Sequence, residues 1–286
     1  MPTIRRFAKL LAIATFVGLS AAWVYWAVDG LTLSDADAYR AAANRLLAGE
    51  DLYIVPRTQG DAFRYAPWFA LIWIPLAALP EWAANTVWLA ALAMASTLAV
   101  VPLARAPSVW LRLTALLGGS VLIWTAARGN VHPLVVLALV WGIDRRTGPI
   151  WIALTASLKA VPILFALVYV ARREWRRAFV AVAVTVLLVA PMPFFGWDFE
   201  STEAGPSLSL YYLVSPAGWV IGAGAALLAA TVSAMQGWPA TRLAAATAAI
   251  AVLPRLLLYD ATYLLPGLTP YPTSRPEAAT PQRTAS

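Results

Sequence analysis

Cysteine is absent from the 286 residues, so neither a disulfide nor a thiolate metal site can form. Histidine occurs once, at His132, too few for a multi-histidine centre. Charge is scarce: Asp, Glu, Lys and Arg make up 12% of the chain, against roughly 25% in a soluble domain. An ordinary soluble enzyme is excluded on that ground. What is present instead is apolar: 61% hydrophobic residues, 14 tryptophans and a mean hydropathy of +0.70.

The net charge of +7 does not point to nucleic acid, because the basic residues sit in short clusters between apolar runs. Arg5, Arg6 and Lys9 form one, Arg145 and Arg146 another, and Arg172, Arg173, Arg176 and Arg177 a third. Clusters of this kind hold loops on the cytoplasmic side of a membrane. The chain reads as an all-α, polytopic membrane protein with about 8–10 membrane segments, some of them short or re-entrant. Phe7 to Val28 is long enough to be a retained first helix, with its N-terminus cytoplasmic. Further apolar segments follow at 66–79, 82–104, 109–126, 131–143, 148–171, 178–195, 216–235 and 240–258. Residues 1–268 are expected to form a single membrane domain, and 269–286, rich in Pro, Thr and Ser, a disordered tail.

Two segments decide the topology. Pro67 and Pro75 interrupt 66–79, and Lys159 lies midway through 148–171 with Pro162 close behind. If each crossed once as a straight helix, Arg105, Arg112, Arg145 and Arg146 would all fall outside, against the charge rule. If 66–79 dips in and returns, and 148–171 is a hairpin turning near Lys159, all four lie inside. Hairpin arms of about 12 residues span only roughly 18 Å, short for a core of about 30 Å. A lysine at mid-membrane costs about 2.5–3.5 kcal/mol unless it faces water or an anion. Both arguments lead to an aqueous cavity on the outer side. There the hairpin brings together Asp35, Arg64, Tyr65, Arg128, Asn130, Lys159, Arg255 and Asp260.

The loop after the first helix carries its own helix, Leu33 to Gly49, with Ser34 expected as N-cap, Asp37 completing a capping box and Gly49 ending it. Helical spacing puts Asp35 on one face with Tyr39, Ala42, Ala43 and Leu46, and Asp37 on the wet face with Arg40 and Asn44. Asp35 is therefore the candidate catalytic acid or base, and Asp37 a structural one. Lys159 suits a phosphate, with Arg64, Arg128 and Arg255 to complete a clamp. Asp260 could equally contact substrate or pair with Arg255. His132 is read as a structural, hydrogen-bonded side chain.

The motifs, taken in order, resemble glycosyltransferase family 87. They are Asp35-xxx-Tyr39-xx-Ala42, Leu47-Ala48-Gly49-xxx-Tyr53, Phe63-Arg64-Tyr65-Ala66-Pro67, Arg128-Gly129-Asn130, Ala156-Ser157-Leu158-Lys159-Ala160-Val161-Pro162, and Pro254-Arg255-xxx-Tyr259-Asp260. The chain departs from the family's common pattern at Ala66, where a proline is usual, and at Asn130, where glutamine is frequent. The resemblance implies a GT-C fold of the cell membrane with its active site facing outward. It implies transfer of a sugar, mannose being expected, from a polyprenyl phosphate donor to a lipid-linked or glycan hydroxyl, with inversion. Asp35 would be catalytic, and Lys159, Arg128, Arg255, Arg64, Asn130, Tyr39, Tyr65 and Asp260 would bind the donor and its phosphate. The other partners are membrane lipids, and no metal or other cofactor is expected. A transporter or flippase, or a non-catalytic lipid-binding relative with the same anionic-lipid cavity, stays open as an alternative.

Overall fold

The computed structural model describes Val17, Gly18, Ala21 and residues 33–53, 62–197 and 208–269. The first apolar segment, Phe7 to Val28, and the tail from residue 270 lie outside these apart from those three residues. Among the described residues the chain is α-helical with short 3-10 turns and no strand. Among the described residues, four helices are long and apolar enough to cross a membrane: α3 (Glu81–Ala104), α4 (Val109–Ala127), α8 (Trp175–Val189, extended by a 3-10 turn to Phe195) and α10 (Pro216–Met235). Shorter ones fill the space between: α1 (Ser34–Ala48), α2 (Pro67–Ala77), α5 (His132–Gly142), α6 (Gly148–Leu158), α7 (Leu167–Ala171), α9 (Leu210–Leu213), α11 (Thr241–Ala251) and α12 (Leu264–Leu268). This is an all-α polytopic membrane protein. Most of α8 and α10 is not covered by other protein, as expected of faces that meet lipid.

The hairpin at 148–171 forms. Helix α6 ends at Leu158, Lys159 takes an extended conformation (φ −144°, ψ 95°), and a 3-10 turn, Val161–Ala166, leads back into α7. The two arms finish side by side. The Tyr169 hydroxyl donates to the Ile143 carbonyl over 2.8 Å, and Arg172 pairs with Asp144 at 2.6 Å. Pro162 at the second position of the turn costs no hydrogen bond there, whereas in a continuous helix it would have broken one. Helix α2 also fails to cross. Its first residues meet α6 where the Trp68 indole donates to Ser157 Oγ (2.9 Å), and beyond its last turn Arg40 of α1 bonds the Glu81 carbonyl (3.3 Å) and the Asn85 side chain (3.2 Å). It therefore begins and ends at the same end of the molecule.

These turns give the protein two chemically distinct ends. At one, the Asp144 carboxylate holds Arg172 and Arg242 at 2.6 Å each, Arg242 being only 2% exposed. Arg177 donates to the Arg145 carbonyl there, and Arg173 to the Met235 carbonyl. Arg105 closes α3, whose Leu98 carbonyl accepts from Trp141 near the end of α5, and Arg112 lies in the first turn of α4. At the other end lie α1, α2, the α4–α5 connection, Lys159 and the chain after α11. The apolar run 240–258 is not one helix. Helix α11 starts at the arginine end and stops at Ala251, and the irregular stretch 252–257 carries Arg255 and the following 3-10 turn, Leu258–Tyr263, on to this second end. Pro254 could not donate to a continued helix, which accounts for the early stop.

The capping expected of α1 is not observed. Ser34 lies within the helix, its buried hydroxyl makes no hydrogen bond, and Asp37 does not reach back to close a box. Gly49 does end the helix in the left-handed region (φ +71°), and its N–H returns to the Leu46 carbonyl.

Burial tends to raise the Asp144 carboxyl, but hydrogen bonds and charge from Arg242 and Arg172 hold it below the ordinary carboxylate range. A depressed carboxyl contributes stability at pH values above its unfolded pKa, and that stability is lost as pH falls through the folded value. The protein in detergent should therefore unfold at progressively lower temperature below about pH 4. Asp144→Ala, which leaves the buried Arg242 guanidinium without a carboxylate, should cost about 3–5 kcal/mol and flatten that acid dependence. An unchanged unfolding midpoint in the variant would show that the cluster contributes little.

Candidate active site

A backbone detail at the end of α4 positions the site. Gly129 adopts φ +77°, its N–H bonds the Ala126 carbonyl and the Asn130 N–H bonds the Thr125 carbonyl, which terminates the helix tightly. Trp88 of α3 donates its indole N–H to the Gly129 carbonyl over 2.7 Å. A side chain at Gly129 would meet Ala36 Cβ at 2.9 Å and its backbone nitrogen at 3.0 Å. The glycine thus lets the first turn of α1 lie directly on this corner, and Asp35 comes within reach of Asn130, whose Nδ2 donates to Asp35 Oδ2 over 3.1 Å.

Helix α1 is held from below by aromatic packing. Tyr39 is 1% exposed, with edge-on contacts to Tyr65, Phe69, Trp73 and Trp88 at centroid distances of 5.0–6.0 Å. Ala42 and Ala43 are fully buried beneath the same face, while Asp37 stays exposed.

Above this floor is a cavity of about 650 Å³. Asp35, Arg64, Tyr65, Arg128, Asn130, Lys159, Arg255 and Asp260 all line it, contributed by five separate stretches of chain. Of the residues expected at the site only Tyr39 is not in the wall. It sits behind Tyr65, joined to it by a 3.1 Å hydroxyl–hydroxyl bond. Lys159 reaches toward Tyr259, with Nζ 3.4 Å from the hydroxyl and 4.4 Å above the ring. No salt bridge joins Arg255 to Asp260. The Asp260 carboxylate instead accepts the Leu257 N–H at 2.9 Å and so caps its own turn. His132 is fully buried under the cavity, its Nε2 2.8 Å from Thr262 Oγ1 and its ring between Tyr259 and Tyr263.

Sequence reasoning passed over Tyr259 and Tyr263 as site residues. Tyr259 had a signal in the Pro-Arg-xxx-Tyr-Asp motif, and Tyr263 lies four residues on. Only the backbone turn at 252–257 brings both into the cavity. With four cations against two carboxylates the wall carries an excess of positive charge, which suits an anion.

A second, apolar groove of about 720 Å³ runs beside α5 and α6. Leu158 and Tyr65's neighbour Trp68 mark its cavity end, and Trp141, Arg145 and Trp151 its far end. Leu158 lines both spaces. The groove exists because α2 is short and stays at the cavity end, leaving the part of α5 and α6 away from the cavity unshielded.

The fold and the site define an all-helical integral membrane protein with a cationic, carboxylate-bearing cavity at one end and an apolar groove beside it. The model of glycosyltransferase family 87 matches residues 63–204. Over this segment, 142 of the 286 residues, the chain is similar to the glycosyltransferases of that family. The matched segment contains Arg64, Tyr65, Arg128, Asn130 and Lys159, whereas Asp35, Tyr39, Arg255 and Asp260 lie outside it. No curated protein and no solved structure matches the chain.

Gly129→Ala tests how the corner sets the site. Forcing a side chain into the left-handed region costs about 1–2 kcal/mol, and the clash with Ala36 lifts the first turn of α1. Sugar transfer should fall by far more than the loss of folded protein explains; activity in proportion to the folded fraction would show that the approach of α1 is not critical.

Proposed function

We propose that the protein transfers a sugar, mannose being the expected one, from a polyprenyl phosphate to a lipid-linked or glycan hydroxyl at the outer face of the cell membrane. One observation carries the reading: a cavity pairing Asp35 with Lys159, Arg64, Arg128 and Arg255 shares a wall, Leu158, with an apolar groove. A donor with a phosphodiester head and an isoprenoid tail needs both environments side by side. The clustering of Arg105, Arg112, Arg145, Arg146 and Arg172–Arg177 at the opposite end supports an outward-facing cavity.

In this mechanism Lys159, assisted by Arg128 or Arg255, holds the donor phosphate and stabilises the charge that grows on it as the leaving group. Asp35 accepts the proton of the acceptor hydroxyl as its oxygen attacks C1 of the sugar, an effect typically worth about 10²–10⁴ in rate. The new O–C1 bond forms on the face opposite the phosphate, the C1–O bond to phosphate breaks, and polyprenyl phosphate departs. Attack from the opposite face inverts the anomeric centre. Asp260 would accept from a sugar hydroxyl, and Tyr65 would donate to a sugar or phosphate oxygen. The isoprenoid tail lies in the groove along α5 and α6.

The test uses purified protein in detergent, labelled polyprenyl-phosphate mannose and a membrane lipid extract, with formation of a new glycolipid as the readout. Asp35→Asn should lower turnover at least 10²-fold while donor binding is kept. Lys159→Ala should chiefly weaken donor binding. Full activity in the first variant, or unchanged donor affinity in the second, removes that residue from its role.

The groove has its own test. Ala138→Trp narrows it without touching the cavity and should raise KM for a long-chain donor while leaving a short-chain analogue unaffected. Equal effects on both donors would place the tail elsewhere.

A further inference from the structure

The N-terminus of α5 presents backbone N–H groups that no turn of the helix can accept, as at any helix start. Two of them, on adjacent residues, point into side-chain chains that end in the cavity. The His132 N–H donates to Asn130 Oδ1 over 2.9 Å, and the Val131 N–H donates to the Tyr39 hydroxyl oxygen over 3.2 Å.

A backbone N–H can only donate, which fixes the orientation of the Asn130 amide, and the tyrosine pair runs onward from Tyr39 to Tyr65. Asn130 must present its carbonyl oxygen to His132, so its amide nitrogen faces the other way and donates to Asp35 Oδ2. That bond requires Asp35 Oδ2 to be an acceptor, which favours the ionised carboxylate. Tyr39 receives the Val131 proton, so its own hydroxyl hydrogen goes to Tyr65 Oη at 3.1 Å. Tyr65 Oη is then already an acceptor, its own hydrogen is left to donate, and the residue lines the cavity. Tyr65 is further held by the Tyr53 hydroxyl, which donates to its backbone carbonyl over 2.7 Å.

We infer that Asn130 and Tyr39 are positioning residues through which the start of α5 sets opposite proton polarity on two cavity groups: Asp35 as proton acceptor and Tyr65 as donor to a substrate oxygen. The inference rests on the proposed role of Asp35 and specifies how its reactive state is maintained. Other charged and titratable groups also face Asp35 across the cavity. Arg64 and Tyr65 come from the segment before α2, Arg128 from the end of α4 and Lys159 from the hairpin turn. Arg255, Tyr259 and Asp260 come from the chain after α11. All of these are retained in the variants that test Asn130, so a change in pH dependence there reports on Asn130.

Asn130→Asp keeps an oxygen for the His132 N–H and the volume of the side chain, but sets a carboxylate against Asp35 where a donor had been. With the full chain in lipid nanodiscs and polyprenyl-phosphate mannose as the donor, the acid limb of its kcat/KM profile should move up by about one pH unit or more. If that variant does not fold, Asn130→Ser, which also caps a helix start but cannot reach Asp35, should lower kcat with donor KM unchanged.

Tyr39→Phe and Tyr65→Phe should each raise donor KM several-fold, and the double variant should be no worse than the larger single effect, because Tyr39 acts only through Tyr65. An unmoved acid limb in Asn130→Asp, unchanged kcat in Asn130→Ser, or additive losses in the tyrosine pair would overturn the inference. Asp35→Asn with full turnover would instead overturn the role of Asp35 itself, so the two failures are separable.

Discussion

A single cation in the middle of an apolar segment sets the shape of this molecule. Lys159 is one of only two lysines in the chain, and the residues on either side of it form short apolar helices. A straight helix through 148–171 would hold its ammonium at mid-membrane. By breaking the helix there, the chain lifts the group to one end and carries Arg172 back to Asp144. The remaining architecture follows from that turn. The arms are too short to span a full apolar slab; the start of α2 meets them at one end, and the Asp144 cluster ties them at the other.

The two ends use the same ingredients for opposite purposes. At the arginine end, one carboxylate serves two guanidiniums in bonds of 2.6 Å, and the charges are largely spent on one another. In the cavity, Asp260 spends its carboxylate on a backbone N–H and Arg255 forms no salt bridge with it. The Lys159 ammonium lies against a tyrosine ring. A scaffold is served by satisfied pairs, because a buried charge without its partner is costly. A binding site requires the reverse, charges kept apart by rigid backbone until an anion arrives. The turn at Gly129, and the bonds from Ser209 Oγ to the Pro254 carbonyl and from the Leu208 N–H to the Leu256 carbonyl, hold those stretches in place.

Much of this was legible in the sequence because it depends on periodicity and charge. The face of α1 carrying Asp35, Tyr39, Ala42 and Ala43, the hairpin at Lys159 and the non-crossing of 66–79 all follow from spacing, proline positions and the distribution of arginines. What could not be read depends on where a few backbone groups point. Ser34 has the right chemistry for a cap, yet the helix begins one residue earlier and leaves its hydroxyl without a partner. The run 240–258 is apolar apart from Thr241, Arg242, Thr247 and Arg255, and hydropathy is blind to the stop at Ala251. Asn130 illustrates the limit best. Its type and place in the motif suggest a ligand contact, but its amide is engaged on one side by His132 and on the other by Asp35.

That engagement matters for the proposed mechanism, in which an anion and a base must work in one space. Four cations against two carboxylates leave the cavity wall with an excess of positive charge that suits a phosphate. Asn130 holds Asp35 Oδ2 from the side of α5, so the carboxylate stays at the Gly129 corner while the cations line the rest of the same cavity. The turn at Lys159 brings the hairpin to the cavity that α1 borders, and it is what makes that space common to both.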